Sequence, residues 1–423
     1  MVGQGANQTP WPRAAVRLSK LIGTDGSGFW PVAFAFLVVA SFATLPSPLY
    51  GLYRVRDDLS AFTITVVYAI FAASTIAALR TASPVAAKIG RRGLMVAAVA
   101  IMMAAAILLA VWKDLPGLVL GRLLTGVAVG LVSGTAITYL IELRLRADPH
   151  GSVVAARTIG TSVNVGALGV GPLIAGCLAE WARWPLTLPY LVAAGLGVFA
   201  LIGLVTAPET GVPSPTSNNG PQPGTKRARL PLVAAVGTLA AFAANGLFAG
   251  LAGLFLATTL DRPSHALAGA TLFVVFACGV AAQLATGAMP ASPTLALGTA
   301  SMILGLVLLV TSVRLSEPSL VLFLLAGGFT GAGSGAVYKG TVGIVLAAAA
   351  PEDRLSLTSA LLIALFIGLS VPVIGAGVAL DQGVSPADTV LFFAIPVGFG
   401  VLLAGWALLR RTSNASRPVG GST

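Results

Sequence analysis

Residues 117–141 read GLVLGRLLTGVAVGLVSGTAITYLI, and Arg122 is the one charged residue in this stretch. A helix needs about 20 apolar residues to cross a bilayer, so this run predicts a membrane span. Eleven other runs in the chain share its length and polarity. The sequence therefore predicts twelve spans, at 30–52, 60–82, 93–112, 117–141, 152–180, 185–206, 231–258, 266–289, 294–313, 319–346, 356–380 and 388–409.

The composition also favours a membrane protein. Of 423 residues, 56% are hydrophobic and 9% are charged, whereas soluble domains carry about 25% charged residues. The net charge is +11, but the basic residues lie scattered between apolar runs and form no polar patch of the kind that binds nucleic acid. Cys177 and Cys278 lie inside separate apolar runs, which argues against a disulfide scaffold or a metal cluster. We expect no nucleic-acid partner, no metal and no cofactor.

Two segments without a helical pattern divide the chain. The residues before the first span are a polar tail, because Pro10 and Pro12 interrupt them and they contain no apolar run of the signal-peptide type. A later segment is rich in Pro, Gly and Asn, which indicates a solvated linker. The predicted domains are a tail at 1–29, a six-helix bundle at 30–206, a linker at 207–230, a second six-helix bundle at 231–410 and a tail at 411–423.

The basic residues predict the orientation. With the N-terminus inside, the inside segments hold 15 Lys and Arg residues and the outside loops hold 6. Cytoplasmic segments carry such an excess of positive charge. We therefore expect an integral protein of a bacterial cytoplasmic membrane, with both termini and the linker in the cytoplasm.

The two halves of the sequence echo each other at an offset of 200 residues. Pro31 opens the first span and Pro231 the seventh, and GPLIAG at 171–176 parallels VPVIGA at 371–376. A constant offset indicates a duplicated unit. The predicted fold class is an all-α integral membrane protein with 12 transmembrane helices in two pseudo-symmetric six-helix bundles.

Four motifs resemble the signatures of one transporter family. SPVAAKIGRR at 83–92 resembles its Gly-x-x-x-Asp-Arg-x-Gly-Arg-Arg loop, and GRLLTGVAVG at 121–130 resembles its Arg-x-x-Gln-Gly-x-x-x-Gly signature. GPLIAG at 171–176 is similar to its antiporter signature, Gly-Pro-x-x-Gly-Gly, and APET at 207–210 is a common ending of its sixth span. With the twelve spans, these motifs make nearly the whole chain similar to the major facilitator superfamily of secondary transporters. The resemblance implies two bundles that rock about a central site. The sequence offers no phosphate-binding loop, nucleophile or metal cage, so we do not expect an enzyme.

The resemblance also implies residues that take part in gating and conformational change. They are Lys88, Gly90, Arg91, Arg92, Gly171, Pro172 and Gly176. In the family, an Asp in the first of these loops is thought to pair with a neighbouring helix end and to help gate the inner face. Ala87 stands at that position here, which weakens the expectation of this latch. Arg91 and Arg92 can equally be topology signals.

The charges inside the predicted spans are few and basic. They are Arg122, Arg157 and Lys339, with Arg80 at an inner helix end. Arg122 lies about 7 Å past the outer start of its helix, where an unpaired guanidinium in lipid costs at least about 2.5 kcal/mol. We expect Arg122 to face a central cavity, with snorkelling to the outer interface as the alternative. Arg157 and Lys339 are close enough to a membrane surface to snorkel.

All 14 carboxylates fall in loops or near span ends. Many proton-coupled carriers instead use a buried carboxylate with a shifted pKa. If protons are coupled here, the candidate carriers are Asp57 and Asp58 at the outer mouth and Glu142 at the inner end of the fourth span.

The neutral polar residues inside the spans supply candidates for substrate binding. The resemblance implies that the first, fourth, seventh and tenth spans line the central cavity, which selects Tyr50, Arg122, Asn245 and Tyr338. Asn164 in the fifth span adds a further amide. An interhelical hydrogen bond is the alternative role for any of these side chains.

These observations predict a secondary transporter that works by alternating access. The antiporter-like motif favours proton-coupled efflux of a small amphipathic compound. The alternatives are an uptake or exchange carrier for a small anionic or neutral metabolite and, from another class, a transport-inactive membrane receptor. The expected partners are a small-molecule substrate, protons and the lipid bilayer, and the expected state is a monomer.

Overall fold

The computed structural model describes residues 28–210, 229–350 and 353–415, which are mostly helical. The helices are α1 Phe29–Ser41, α2 Tyr50–Asp57, α3 Ala61–Val111, α4 Leu115–Ser133, α5 Ala136–Ala147, α6 Val153–Trp181, α7 Leu188–Thr206, α8 Arg229–Thr258, α9 His265–Ala285, α10 Ala291–Arg314, α11 Leu320–Ala348, α12 Arg354–Asp381 and α13 Pro386–Ala415. A short 3-10 helix, Ser47–Leu49, leads into α2.

Long apolar runs become helices because lipid offers no partner for backbone polar groups, and a helix satisfies them internally. Serine marks several of the helix starts. Ser60, Ser152, Ser264 and Ser319 each accept a hydrogen bond from the amide three residues further along. These caps satisfy amides that the first helical turn leaves unpaired.

The described helices account for twelve spans. Within the described residues, ten helices are long and apolar enough to cross a membrane. One of them, α3, has 51 residues and is divided at Gly90, where φ is 79°. At 1.5 Å per residue α3 is about 77 Å long, so it contains the second and third spans. The first span consists of α1, the 3-10 helix and α2.

Three details differ from the sequence-based expectation. The fourth span is not one helix over 117–141, because helical geometry is interrupted at Thr135, between α4 and α5. The first span is not one helix over 30–52, because the chain leaves helical geometry after Ser41 in a segment that contains Pro46 and Pro48. The segment is buried in protein, where irregular backbone at membrane depth is tolerated. The expected loop at 83–92 is also wrong, because helical structure continues through Pro84 and changes direction at Gly90.

The two bundles meet along two helix pairs. α6 of the N-terminal bundle packs against α9 of the C-terminal bundle, and α3 packs against α12. The fifth span, α6, corresponds to the eleventh, α12, at the offset of 200 residues. The second span, in α3, corresponds in the same way to the eighth, α9. The two contacts are therefore related by pseudo-two-fold symmetry. Following the predicted orientation, we call the face that holds the C-terminal ends of α6 and α12 the outer face, and the opposite one the inner face.

Glycines of the fifth-span motif allow close helix contacts. Gly171 lies against the backbone of Ser41 in α1, and Gly176 lies against the backbone of His265 in α9. A Cβ atom at either glycine would overlap a carbonyl oxygen. Small residues let membrane helices approach this closely. The motif thus allows α6 to contact α1 in its own bundle and α9 in the other.

Candidate substrate site

Arg122 is fully buried in α4, with 0% of the residue exposed. Its Nη1 donates a hydrogen bond of 2.8 Å to the carbonyl oxygen of Ala43. The guanidinium carbon lies 4.6 Å from the ring centroid of Phe71 and 5.8 Å from that of Tyr68. Within the described residues, Nε and Nη2 have no hydrogen-bond partner. Snorkelling to the outer interface does not fit this burial.

Two buried tyrosines belong to the elements around Arg122. The ring of Tyr68 lies beside the guanidinium, and Tyr50 begins α2, a few residues after the Ala43 carbonyl that Arg122 binds. Neither hydroxyl has a hydrogen-bond partner in the part of the chain that the structure describes. Each unpaired buried polar group costs about 1–3 kcal/mol. Polar groups buried in this way bind ordered water or a ligand in most proteins.

A second polar cluster lies between α8 and α11. Asn245 Nδ2 donates to Ser334 Oγ at 2.9 Å, and Asn245 Oδ1 is buried without a partner among the described residues. One turn further along α11, the ring of Tyr338 meets Phe242 edge to face at 5.8 Å between centroids. The interhelical hydrogen bond uses only one end of the Asn245 amide. The other end remains free to accept a donor.

Contacts across the bundle interface relate the two clusters. The ring of Tyr68 lies beside Gly250 of α8, where an added Cβ would be 3.8 Å from Tyr68 Cδ1. Phe71 meets Phe366 of α12 edge to face, with 6.0 Å between centroids. Gly250 lies about 7.5 Å further along α8 than Asn245. The Arg122 cluster thus lies between the bundles, and Asn245 lies deeper toward the inner face.

The remaining predicted binding residue, Asn164, is half-buried on α6. In the described ranges, no hydrogen bond or ring contact joins it to either cluster. Its role in binding stays a prediction. Tyr68 and Phe71 of the second span were not among the predicted binding residues, although their spacing of three residues places both on one face of α3.

The bend at Gly90 receives a carboxylate from outside the 83–92 segment, in which Ala87 replaces the Asp of the family motif. Glu209 accepts hydrogen bonds from the backbone amides of Arg91 at 2.8 Å and Arg92 at 3.1 Å. A Cβ at Gly90 would overlap the Glu209 carboxylate. This contact connects the bend at Gly90 to the end of the sixth span, within the N-terminal bundle. It does not join the two bundles.

The candidate proton carriers occupy different surroundings. Glu142 forms an ion pair of 2.6 Å with Arg91 and accepts from the Thr210 hydroxyl at 2.7 Å. Asp57 lies 3.3 Å from Arg56, and its Oδ2 is buried without a partner in the described residues. Asp58 is exposed and ends α2 with a φ of 49°.

The other residues singled out in the sequence lie apart from both clusters. Lys88 and Arg157 are exposed. Lys339 Nζ donates to the carbonyl oxygen of Gln283 at 2.9 Å and to the Thr286 hydroxyl at 3.2 Å. It thereby binds the C-terminal end of α9, where a cation is favoured.

Within the described residues, twelve apolar spans form two related bundles with buried polar side chains between them, an arrangement typical of membrane transport proteins. The chain belongs to the Major Facilitator Superfamily, because the model of that family matches residues 32–289, more than half of the chain. It is accordingly a secondary transporter and an integral membrane protein.

Two solved structures show the same fold. A point mutant of the nucleoside transporter NupG superimposes with a TM-score of 0.69 at 12% identity, over 90% of this chain and 99% of that chain. NupG without the mutation gives a TM-score of 0.65 at 13% identity, over 91% and 98%. No curated protein matches this sequence.

Proposed function

We propose that the protein exports a small amphipathic compound and that an anionic or hydrogen-bond-accepting group of this compound binds at Arg122. The observation that carries the proposal is the buried Nε and Nη2 edge of Arg122, which has no hydrogen-bond partner among the described residues; the same holds for the buried hydroxyls of Tyr50 and Tyr68. An arginine edge matches a carboxylate or phosphate with two parallel hydrogen bonds. A carboxylate or phosphate can accept hydrogen bonds both from this edge and from hydroxyl donors.

The second cluster supports a compound that carries a hydrogen-bond donor at the end opposite its anionic group. Asn245 Oδ1 can accept a hydrogen bond, and the rings of Tyr338 and Phe71 offer apolar surface. The spacing along α8 between Asn245 and the level of Tyr68 is about 7.5 Å, which suits a molecule the size of a substituted ring.

We further propose that protons drive this export. The Gly171-Pro172 motif resembles an antiporter signature, and Asp57 supplies a carboxylate with an unpaired oxygen at the outer mouth. Tyr50, Tyr53 and Asp57 follow i, i+3, i+7 spacing on α2 and so share one face. That face leads from the outer mouth toward Arg122. Glu142 is a weaker candidate because Arg91 already pairs with it.

An uptake or exchange carrier for a small anionic metabolite is the second candidate. It is favoured by the positive charge of Arg122, beside which the described residues contain no buried carboxylate. The two candidates share the same binding chemistry and differ in direction and coupling.

Binding to purified protein tests the chemistry directly. Three amphipaths with the same ring and with an anionic, neutral or cationic group would be titrated by calorimetry. We expect the anionic compound to bind most tightly and to lose that preference in Arg122→Gln. Tightest binding of the cationic compound would contradict the proposal.

A further inference from the structure

A carboxylate of the N-terminal bundle caps a helix of the C-terminal bundle at the outer face. Glu180 lies one residue before the end of α6, and its Oε2 accepts hydrogen bonds from the first two amides of α9. The distances are 2.7 Å to His265 N and 3.3 Å to Ala266 N, and the Ser264 hydroxyl adds a third contact at 3.2 Å.

A carboxylate of the C-terminal bundle makes an equivalent contact with a helix of the N-terminal bundle. Asp381 ends α12, and its two oxygens accept from the first two amides of α3, at 2.9 Å from Ala61 N and 3.0 Å from Phe62 N. Both receiving helices begin with a serine cap, Ser60 in α3 and Ser264 in α9. The two carboxylates stand 201 positions apart in the sequence, close to the offset of the internal repeat.

Both contacts use the same physics. A helix N-terminus has unpaired amides and a partial positive charge, so it favours a carboxylate. In each case the carboxylate and the helix belong to different bundles, so the contact breaks when the bundles separate at this face. The His265 ring adds a third connection across the interface, with Nδ1 3.3 Å from the Pro48 carbonyl oxygen.

The packing between α6 and α9 is closest at this face and loosens away from it. An added Cβ at Gly176 would overlap the His265 carbonyl, one at Gly169 would lie 3.1 Å from Phe273 Cα, and one at Gly166 would lie 3.7 Å from a Val280 methyl. Between α6 and α9, the closest contact is therefore at the outer face.

We propose that Glu180 and Asp381 are a two-fold-related pair of latches that hold the outer face closed and release in every transport cycle. The proposal rests on the alternating-access transport proposed above. It adds that the charge of each carboxylate, acting on a helix start in the other bundle, sets the ratio of outer-closed to outer-open molecules. From the strength of carboxylate interactions with helix N-termini, each latch changes this ratio by about two- to thirtyfold.

The test uses the isosteric variants Glu180→Gln and Asp381→Asn, singly and together. Spin labels at Arg183→Cys and Glu317→Cys, in a background with Cys177→Ser and Cys278→Ser, report the distance between the outer loops of the two bundles by pulsed electron resonance. Both labelled positions are exposed. The readout needs no substrate, so it can succeed or fail independently of the export proposal.

Matched controls are Asp114→Asn and Asp388→Asn. These outer-face carboxylates pair with Arg56 and Arg314, each within its own bundle. We expect each latch variant to raise the population of the longer distance, the double variant to raise it most and the controls to leave it unchanged. Glu180→Asp retains the charge, so it should have a larger population of the shorter distance than Glu180→Gln.

Latch variants that elute as folded protein and keep the parent's distance distribution would overturn the proposal. An equal shift in the control variants would also overturn it, because the effect would then be one of general surface charge.

Discussion

Replacing the Arg122 side chain tests the group that we propose binds the anionic part of the substrate. In Arg122→Gln the charge and the two-donor edge are lost, and in Arg122→Lys the charge stays but the edge is lost. Each charge-assisted hydrogen bond contributes about 1.5–3 kcal/mol. Losing two of them, with partial replacement by the Gln amide, should cost about 3 kcal/mol, or about 140-fold in Kd. The Lys variant should lose about tenfold.

The assay is titration of an anionic amphipath into purified protein, together with the thermal unfolding of ligand-free samples. Arg157→Gln is the matched control, because Arg157 is an exposed arginine of α6. The ligand-free Arg122→Gln protein should melt no lower than the parent. Removing a buried guanidinium with two unpaired donors relieves a desolvation cost that offsets the lost bond to the Ala43 carbonyl.

Two results would refute this reasoning. If Arg122→Gln binds the anionic compound within about threefold of the parent, the guanidinium does not contact ligand. If the variant melts far below the parent and binding falls only in proportion to the folded fraction, Arg122 has a structural role.

Three further predictions concern backbone and amide positions. Gly90→Ala should lower the free energy of unfolding by about 1–2 kcal/mol, because its φ of 79° suits only glycine and a Cβ there meets a carboxylate. The control is Gly195→Ala, because an added Cβ there lies more than 4 Å from any neighbouring atom of the described residues. It should be neutral or stabilising in the same melts. Gly171→Ala should reduce the transport rate in proteoliposomes, because the new Cβ separates α6 from α1. Gly375→Ala should keep the parent's rate, because a Cβ there contacts no atom of the described residues within 4 Å. Asn245→Ala should weaken binding of compounds with a hydrogen-bond donor by about tenfold in calorimetry and leave compounds without one unchanged; equal losses for both would contradict the role of its carbonyl.

Much of the fold follows from the sequence because lipid imposes a strict rule on the backbone. The predicted ninth span, 294–313, corresponds to α10, Ala291–Arg314. Every apolar run must satisfy its own hydrogen bonds, so hydropathy alone nearly sets its limits. Hydropathy does not show the break after Ser41, although Pro46 and Pro48 are residues that bend helices. Irregular backbone is tolerated at this depth because other helices bury it, which a single apolar run does not reveal.

The site was predictable only in part. Arg122 and Tyr50 stand out in the sequence because polar groups at membrane depth are costly. Tyr68 and Phe71 were missed as neighbours of Arg122, since contacts between spans leave no local pattern. The same holds for Glu209, which reaches the backbone of Arg91 over a separation of 118 residues and supplies a carboxylate that the loop itself lacks.

Flux through purified protein in proteoliposomes, recorded together with lumenal pH, tests the transport claim most directly. With an acidic lumen, a proton-coupled exporter should accumulate the anionic amphipath in the vesicles while the lumenal pH rises, and Arg122→Gln should show neither change. Accumulation without a pH change would contradict proton coupling and favour the exchange carrier. No flux of anionic, neutral or cationic compounds under any imposed gradient would contradict the transport function itself.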